Sequence, residues 1–103
     1  MSGLSVSMKN IKPWFMRRAA RCSHEYLIQD CPPSADGCED CLKIGDTWFH
    51  LRICLICGHV GCCDNSKNKH ATQHFHATGH PIVQSFEPGE SWRWCYEDQI
   101  MLD

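Results

Sequence analysis

Two short cysteine pairs, CEDC (Cys38 and Cys41) and CLIC (Cys54 and Cys57), are the residues of this chain best placed to do chemistry. In such a knuckle both thiolates can face one cation while the intervening amides turn toward the sulfurs. One pair is weak evidence. Here two are followed by the run KHATQHFHATGH, which carries His70, His74, His76 and His80. Between them stand the adjacent cysteines Cys62 and Cys63. Sulfur and imidazole donors in sets of four point to Zn2+. His70 and His74 are one helical turn apart and share a face. Two wirings fit. The sequential one gives a cysteine pair both histidines as a unit, and the interleaved one sends them to different ions. Spacing leaves both open.

Four protein ligands per ion leave no place for water or substrate, so the zinc reads as structural. Each such ion contributes about 10–16 kcal/mol of apparent binding energy to folding. A zinc enzyme is the least supported reading, because neither HExxH nor an HxE…PCxxC pattern is present. Cysteine count argues the same way. Nine cysteines with seven histidines are odd in number for a disulfide scaffold, and MSGLSVSMKNIKPWF holds no apolar run long enough for a secretory signal or a membrane span. The expectation is one domain in a reducing compartment, cytoplasmic or, in a eukaryote, nuclear. A formal charge of −2 supplies no broad field for nucleic acid. The one basic cluster (Lys9, Lys12, Arg17, Arg18, Arg21) reads first as the solvated face of a helix, and nucleic-acid binding through it is the alternative function.

The elements that must position these donors are short. Residues 1–21 read as an N-terminal extension, helical from about Pro13, with Ile11, Phe15, Ala19 and Cys22 on one face. CPPSADG is a turn-rich loop, and TWFHLRICLIC is a strand entering a metal knuckle. A helix is expected from Asn68 to Thr78, capped by Asn68 or Ser66 and stopped by Gly79 and Pro81. PIVQSFE and WRWCYE read as strands joined by a turn. This order predicts an α+β fold: a small zinc-stabilised domain with a short antiparallel sheet and one or two helices.

CEDC, CLICGHVGC, KHATQH, GHP and WCY, in that order, resemble the ubiquitin-protease-type zinc finger, ZnF-UBP, over about Cys22 to Asp98. The resemblance sets a ZnF-UBP-like domain at 22–103 and implies interleaved zinc sites. One would use Cys38, Cys41, Cys62 and His70, the other Cys54, Cys57, His74 and His80. Counting from Cys54 selects Cys62 over Cys63, whereas counting back from His70 selects Cys63; the first spacing is the more rigid. Members with three ions suggest a third set, Cys22, His24, Cys95 and Asp98, with Asp98 where a cysteine is usual. Its alternative is a metal-free pair of small buried thiols. Two ions are thus expected, or three.

The resemblance further implies a module that binds a protein or peptide. The family captures the free C-terminal tail of ubiquitin with an arginine after the zinc cysteine and an aromatic wall. Trp94 and Tyr96 match those aromatics, although core packing alone would also account for them. Asp64 stands where the arginine is expected, and a carboxylate repels a carboxylate. Ubiquitin binding is therefore doubtful, with Lys67 and Lys69 as partial compensation.

Overall fold

The computed structural model describes residues 22–102. The expected extension over residues 1–21, with its basic helix, lies outside the described residues. A 3-10 turn spans Glu25–Leu27, and the helices are α1 (Glu39–Ile44) and α2 (His70–Thr78). The strands are β1 (Leu51–Cys54), β2 (Val60–Cys62), β3 (Ile82–Ser85), β4 (Arg93–Cys95) and β5 (Ile100–Leu102). They form one five-stranded antiparallel sheet in the order β2-β1-β3-β4-β5. The fold is thus the expected α+β domain. No helix among the described residues is long and apolar enough to cross a membrane.

Alternation along the strands separates the two faces. Leu51 pairs with Cys62 and Ile53 with Val60, and these side chains pack with Cys38 and Cys41 under Trp48. Farther along, Ile82 and Cys95 pack with Cys22. The opposite face carries Arg52, Cys54, Val83, Trp94 and Met101. Among the described residues, more than half of the buried apolar side chains are cysteines. So little hydrocarbon is a weak core for a domain of this size, which is why a metal has to staple it.

α2 runs close against edge strand β2. A Cβ added at Gly61 would lie 2.7 Å from the Ala71 nitrogen, so only glycine admits that approach. The helix ends as expected at Gly79, which adopts φ 76° and donates its N–H to the Phe75 carbonyl at 2.7 Å. Its start differs from expectation. It begins at His70, after Lys69 in the left-handed region, with no side-chain cap. Asn68 Nδ2 instead donates to Asp46 Oδ2 (2.9 Å), and Ser66 Oγ accepts from the Phe49 amide (2.8 Å). Cys62 Sγ takes over as acceptor for the His70 N–H, at 3.2 Å. α1, β2 and β5 were not among the sequence expectations. Each is short, and α1 is nucleated by the first knuckle, whose Cys38 side chain accepts from the Cys41 N–H.

Candidate functional site

Among the described residues three sets of four donors come together, with all ligand atoms of a set within 4.8 Å of one another: Cys38, Cys41, Cys62 and His70; Cys54, Cys57, His74 and His80; and Cys22, His24, Cys95 and Asp98. In the first, His70 Nδ1 lies 3.2 Å from Cys38, 3.3 Å from Cys41 and 3.7 Å from Cys62. The second has His74 Nε2 3.3 Å from Cys57 and His80 Nδ1 3.6 Å from Cys54. Register sends Cys62 and Cys54 to opposite faces of the sheet, and α2 delivers one histidine to each. Cys63 joins neither set. Its Sγ lies 3.6 Å from Ser66 Oγ, and its N–H donates to the His50 carbonyl.

The donor chemistry fits zinc. Knuckle amides point at sulfur, with Cys41 N–H donating to Cys38 at 3.4 Å and Ile56 N–H to Cys54 at 3.4 Å, as thiolates require. Burial pushes Cys38 up to about 12 and Cys54 up to about 11, so thiolates here need a cation beside them. His74 is held down to about 4, by burial first and then by His59 and His80, which keeps its imidazole neutral and able to ligate. His59 stacks on His74 at 4.1 Å with planes 6° apart, and its Nε2 lies 2.9 Å from Asp40 Oδ2. That contact fixes the His74 ring.

The third set is different in character. Asp98 Oδ2 accepts from the Ser23 N–H (2.7 Å) and Ser23 Oγ (2.9 Å), and lies 3.2 Å from His24 Nδ1. Hydrogen bonds from Ser23 lower the Asp98 carboxyl below its ordinary range. Cys95 is fully buried and Asp98 partly exposed, so the set opens on solvent at the carboxylate. The three clusters are positioned to bind zinc, which accords with two or three structural ions.

On the Arg52 face of the sheet lies a cavity of about 310 Å3, lined by Arg52, Asp64, Trp92, Trp94, Tyr96 and Met101. Val83 contributes to its floor and Cys63 to its rim. Tyr96 stacks on Phe75 of α2, with ring centroids 4.7 Å apart, and its hydroxyl is 3.3 Å from Thr72 Oγ1. Burial raises the Tyr96 phenol, and the Asp64 carboxylate adds to the shift. Thr72 Oγ1 in turn donates to Asp64 Oδ1 at 2.6 Å.

Trp94 and Tyr96, the aromatics that the family resemblance singles out, both line the cavity. Arg52, Trp92 and Met101 were missed. The signal was present: in LRIC the flanking Leu51 and Ile53 face the core, so strand alternation turns Arg52 to the other side. The two lysines expected to compensate for Asp64 do not. Lys67 Nζ pairs with Asp46 at 3.1 Å, and neither Lys67 nor Lys69 lines the cavity. Its cation comes from β1.

Comparison with known proteins places these features. The profile of the family described as "Zn-finger in ubiquitin-hydrolases and other protein" matches residues 38–103. The chain is 33% identical over 91 residues to ubiquitin carboxyl-terminal hydrolase 44 of Danio rerio, covering 81% of this chain and 12% of that protein. It is 39% identical over 59 residues to NAD-dependent deacetylase sir2A of Dictyostelium discoideum, covering 57% and 10%. The chain thus spans about a tenth of the length of these curated relatives. Among solved structures, the solution NMR structure of Protein RPA1320 from Rhodopseudomonas palustris superposes with a TM-score of 0.75 at 61% identity, covering 82% of each chain.

Proposed function

The chain belongs to the family of Zn-fingers found in ubiquitin-hydrolases and other proteins, and from that premise we propose that it is a non-catalytic peptide-recognition module held together by structural zinc. In this reading Cys38, Cys41, Cys62 and His70 hold one ion, and Cys54, Cys57, His74 and His80 hold a second. The third set holds another ion through Asp98. Four donors per set leave the ions no open position, so the metal shapes the domain and does no chemistry of its own. A reducing compartment, cytoplasmic or nuclear, suits thiolates that must stay unoxidised.

The observation that carries the reading is the aromatic-walled cavity whose rim, Cys63 and Asp64, follows directly on Cys62 of the first donor set. Zinc bound there would fix the rim, and the sheet supplies a rigid floor. A cavity near 310 Å3 accommodates the end of a peptide better than a broad protein face. Ubiquitin's tail is a poor candidate, since Asp64 opposes a carboxylate on its side of the cavity.

The test is a binding screen of the zinc-loaded chain against peptides with free and with amidated C-termini, a ubiquitin tail peptide among them, read by indole NMR shifts. Binding lost in Trp94→Ala at unchanged zinc content supports the reading. No shift with any peptide at millimolar concentration overturns it.

A further inference from the structure

The cavity holds two opposite charges that do not meet. Arg52 and Asp64 both line it, yet no ion pair joins them among the described residues. Each is held in place by something else. The Arg52 guanidinium lies 4.5 Å over the Trp92 ring and spends Nη1 on the Leu51 carbonyl at 3.1 Å. Asp64 is anchored through Oδ1 to Thr72, while Oδ2 makes no hydrogen bond within the described residues. The groups are fixed and incompletely used, which is how a site built for a charged ligand is arranged.

A ligand of one sign is attracted by one of these groups and repelled by the other. A bare carboxylate meets Arg52 and is opposed by Asp64; a bare cation meets Asp64 and is opposed by Arg52. Only a ligand carrying both signs satisfies both. Between them the floor is apolar, made of Val83, Trp94 and Met101. A methylene stem lies well on such a floor while its charged head reaches past it. The faces of Trp94 and Tyr96 also favour a cation alongside.

We propose, resting on the peptide-recognition reading above, that the cavity selects a peptide ending in lysine or arginine. The terminal carboxylate engages Arg52 and the side-chain cation engages Asp64. A terminal basic residue is the peptide unit that presents both charges on one stem with no further chain to accommodate. The aspartate that weakens binding of a plain tail then becomes the source of selectivity.

Four peptides that differ only at the end test this against the zinc-loaded full chain: lysine acid, lysine amide, norleucine acid and norleucine amide. Indole and amide NMR shifts give the affinities. The lysine acid is expected to bind about tenfold tighter than either single-charge change allows, a charge-assisted hydrogen bond being lost in each. Asp64→Asn should abolish the preference for lysine over norleucine and keep the preference for acid over amide. Arg52→Gln should do the reverse. Affinity should also fall as salt is raised, because both groups are partly open to solvent. Norleucine acid binding as tightly as lysine acid would overturn the proposal and leave a carboxylate-reading peptide module standing. Amide binding as tightly as acid would overturn it likewise. Free lysine, with an extra ammonium beside its carboxylate, should bind more weakly, and equal binding would defeat the assignment to a peptide end. If none of the four binds while other peptides in the screen do, this inference fails alone; if no peptide binds at all, both fail.

Discussion

His70 and His74 stand one turn apart on α2, yet His70 Nδ1 lies 3.2 Å from Cys38 Sγ and His74 Nε2 lies 3.3 Å from Cys57 Sγ. One helix thus contributes to two donor sets whose cysteines come from different knuckles. Chain segments far apart in sequence are laced together, and neither set can form without α2 docked on the sheet. Folding and metal uptake should then be one cooperative event.

The vicinal cysteines should separate cleanly by substitution. Cys62→Ser is expected to unfold, with about 10–16 kcal/mol of metal-linked stability at stake, and to lose the zinc of both α2-dependent sets with it. Cys63→Ser should keep its zinc and cost about 1–3 kcal/mol, since it changes a buried group with hydrogen-bonding neighbours. Zinc content by elemental analysis and thermal melts measure both. Retained stoichiometry in Cys62→Ser would mean that Cys63 can ligate in its stead.

The third donor set should be the most labile. Its carboxylate is partly exposed and already accepts from Ser23, unlike the buried thiols of the first set. We expect three zinc equivalents in the wild type and two in Asp98→Ala, with the third ion the first to leave during a chelator titration. Asp98→Cys should retain it to higher chelator. Two equivalents in both wild type and Asp98→Cys would show that this set holds no metal.

Stability should decline with acid, and the sign can be worked out at His74. Its folded value of about 4 is below the ordinary 6.5, so the unfolded chain takes up the proton first. The contribution is fully present above about 6.5 and is lost as pH falls from there toward 4. Zinc pushes the same way, because thiolates and neutral imidazoles are its ligands. Melting temperature should therefore fall between pH 7 and pH 5, with zinc release detected by a colorimetric chelator. A flat profile across that range would contradict the linkage.

Gly61→Ala tests the packing of α2 on the edge strand. The added methyl would sit 2.7 Å from the Ala71 nitrogen, which is backbone and cannot swing aside. About 1–3 kcal/mol of destabilisation is expected from the overpacking. Because α2 carries both His70 and His74, zinc should be lost more readily from both sets together. Loss from one set alone would show that the histidines respond independently.

How much of this was legible beforehand depends on the distance over which each signal acts. The knuckles were, because Cys38–Cys41 and Cys54–Cys57 are local patterns that fix thiol geometry within a turn. So was the stop of α2 at Gly79, a left-handed position that its residue type announces. The start of α2 was not. Asn68 and Ser66 are good caps by type, but each had a better partner, in Asp46 and in the Phe49 amide, that only folding brings near. α1, β2 and β5 are too short for periodicity to show.

By itself, then, the sequence determined that the chain needs metal, which residues are eligible to hold it, and that Asp64 changes the character of the site. The need for metal and the eligible knuckle and helix donors follow from residue type and close spacing, and the reading of Asp64 from the resemblance to the ZnF-UBP family; no folding is needed for either. Tertiary structure decided how the eligible donors divide, because edge strand β2 puts Cys62 on one face while β1 puts Cys54 on the other. It also decided that Arg52, twelve positions before Asp64, shares a cavity with it. The charge balance of a binding site is a sum over groups brought together by strand pairing, and no local pattern carries that sum.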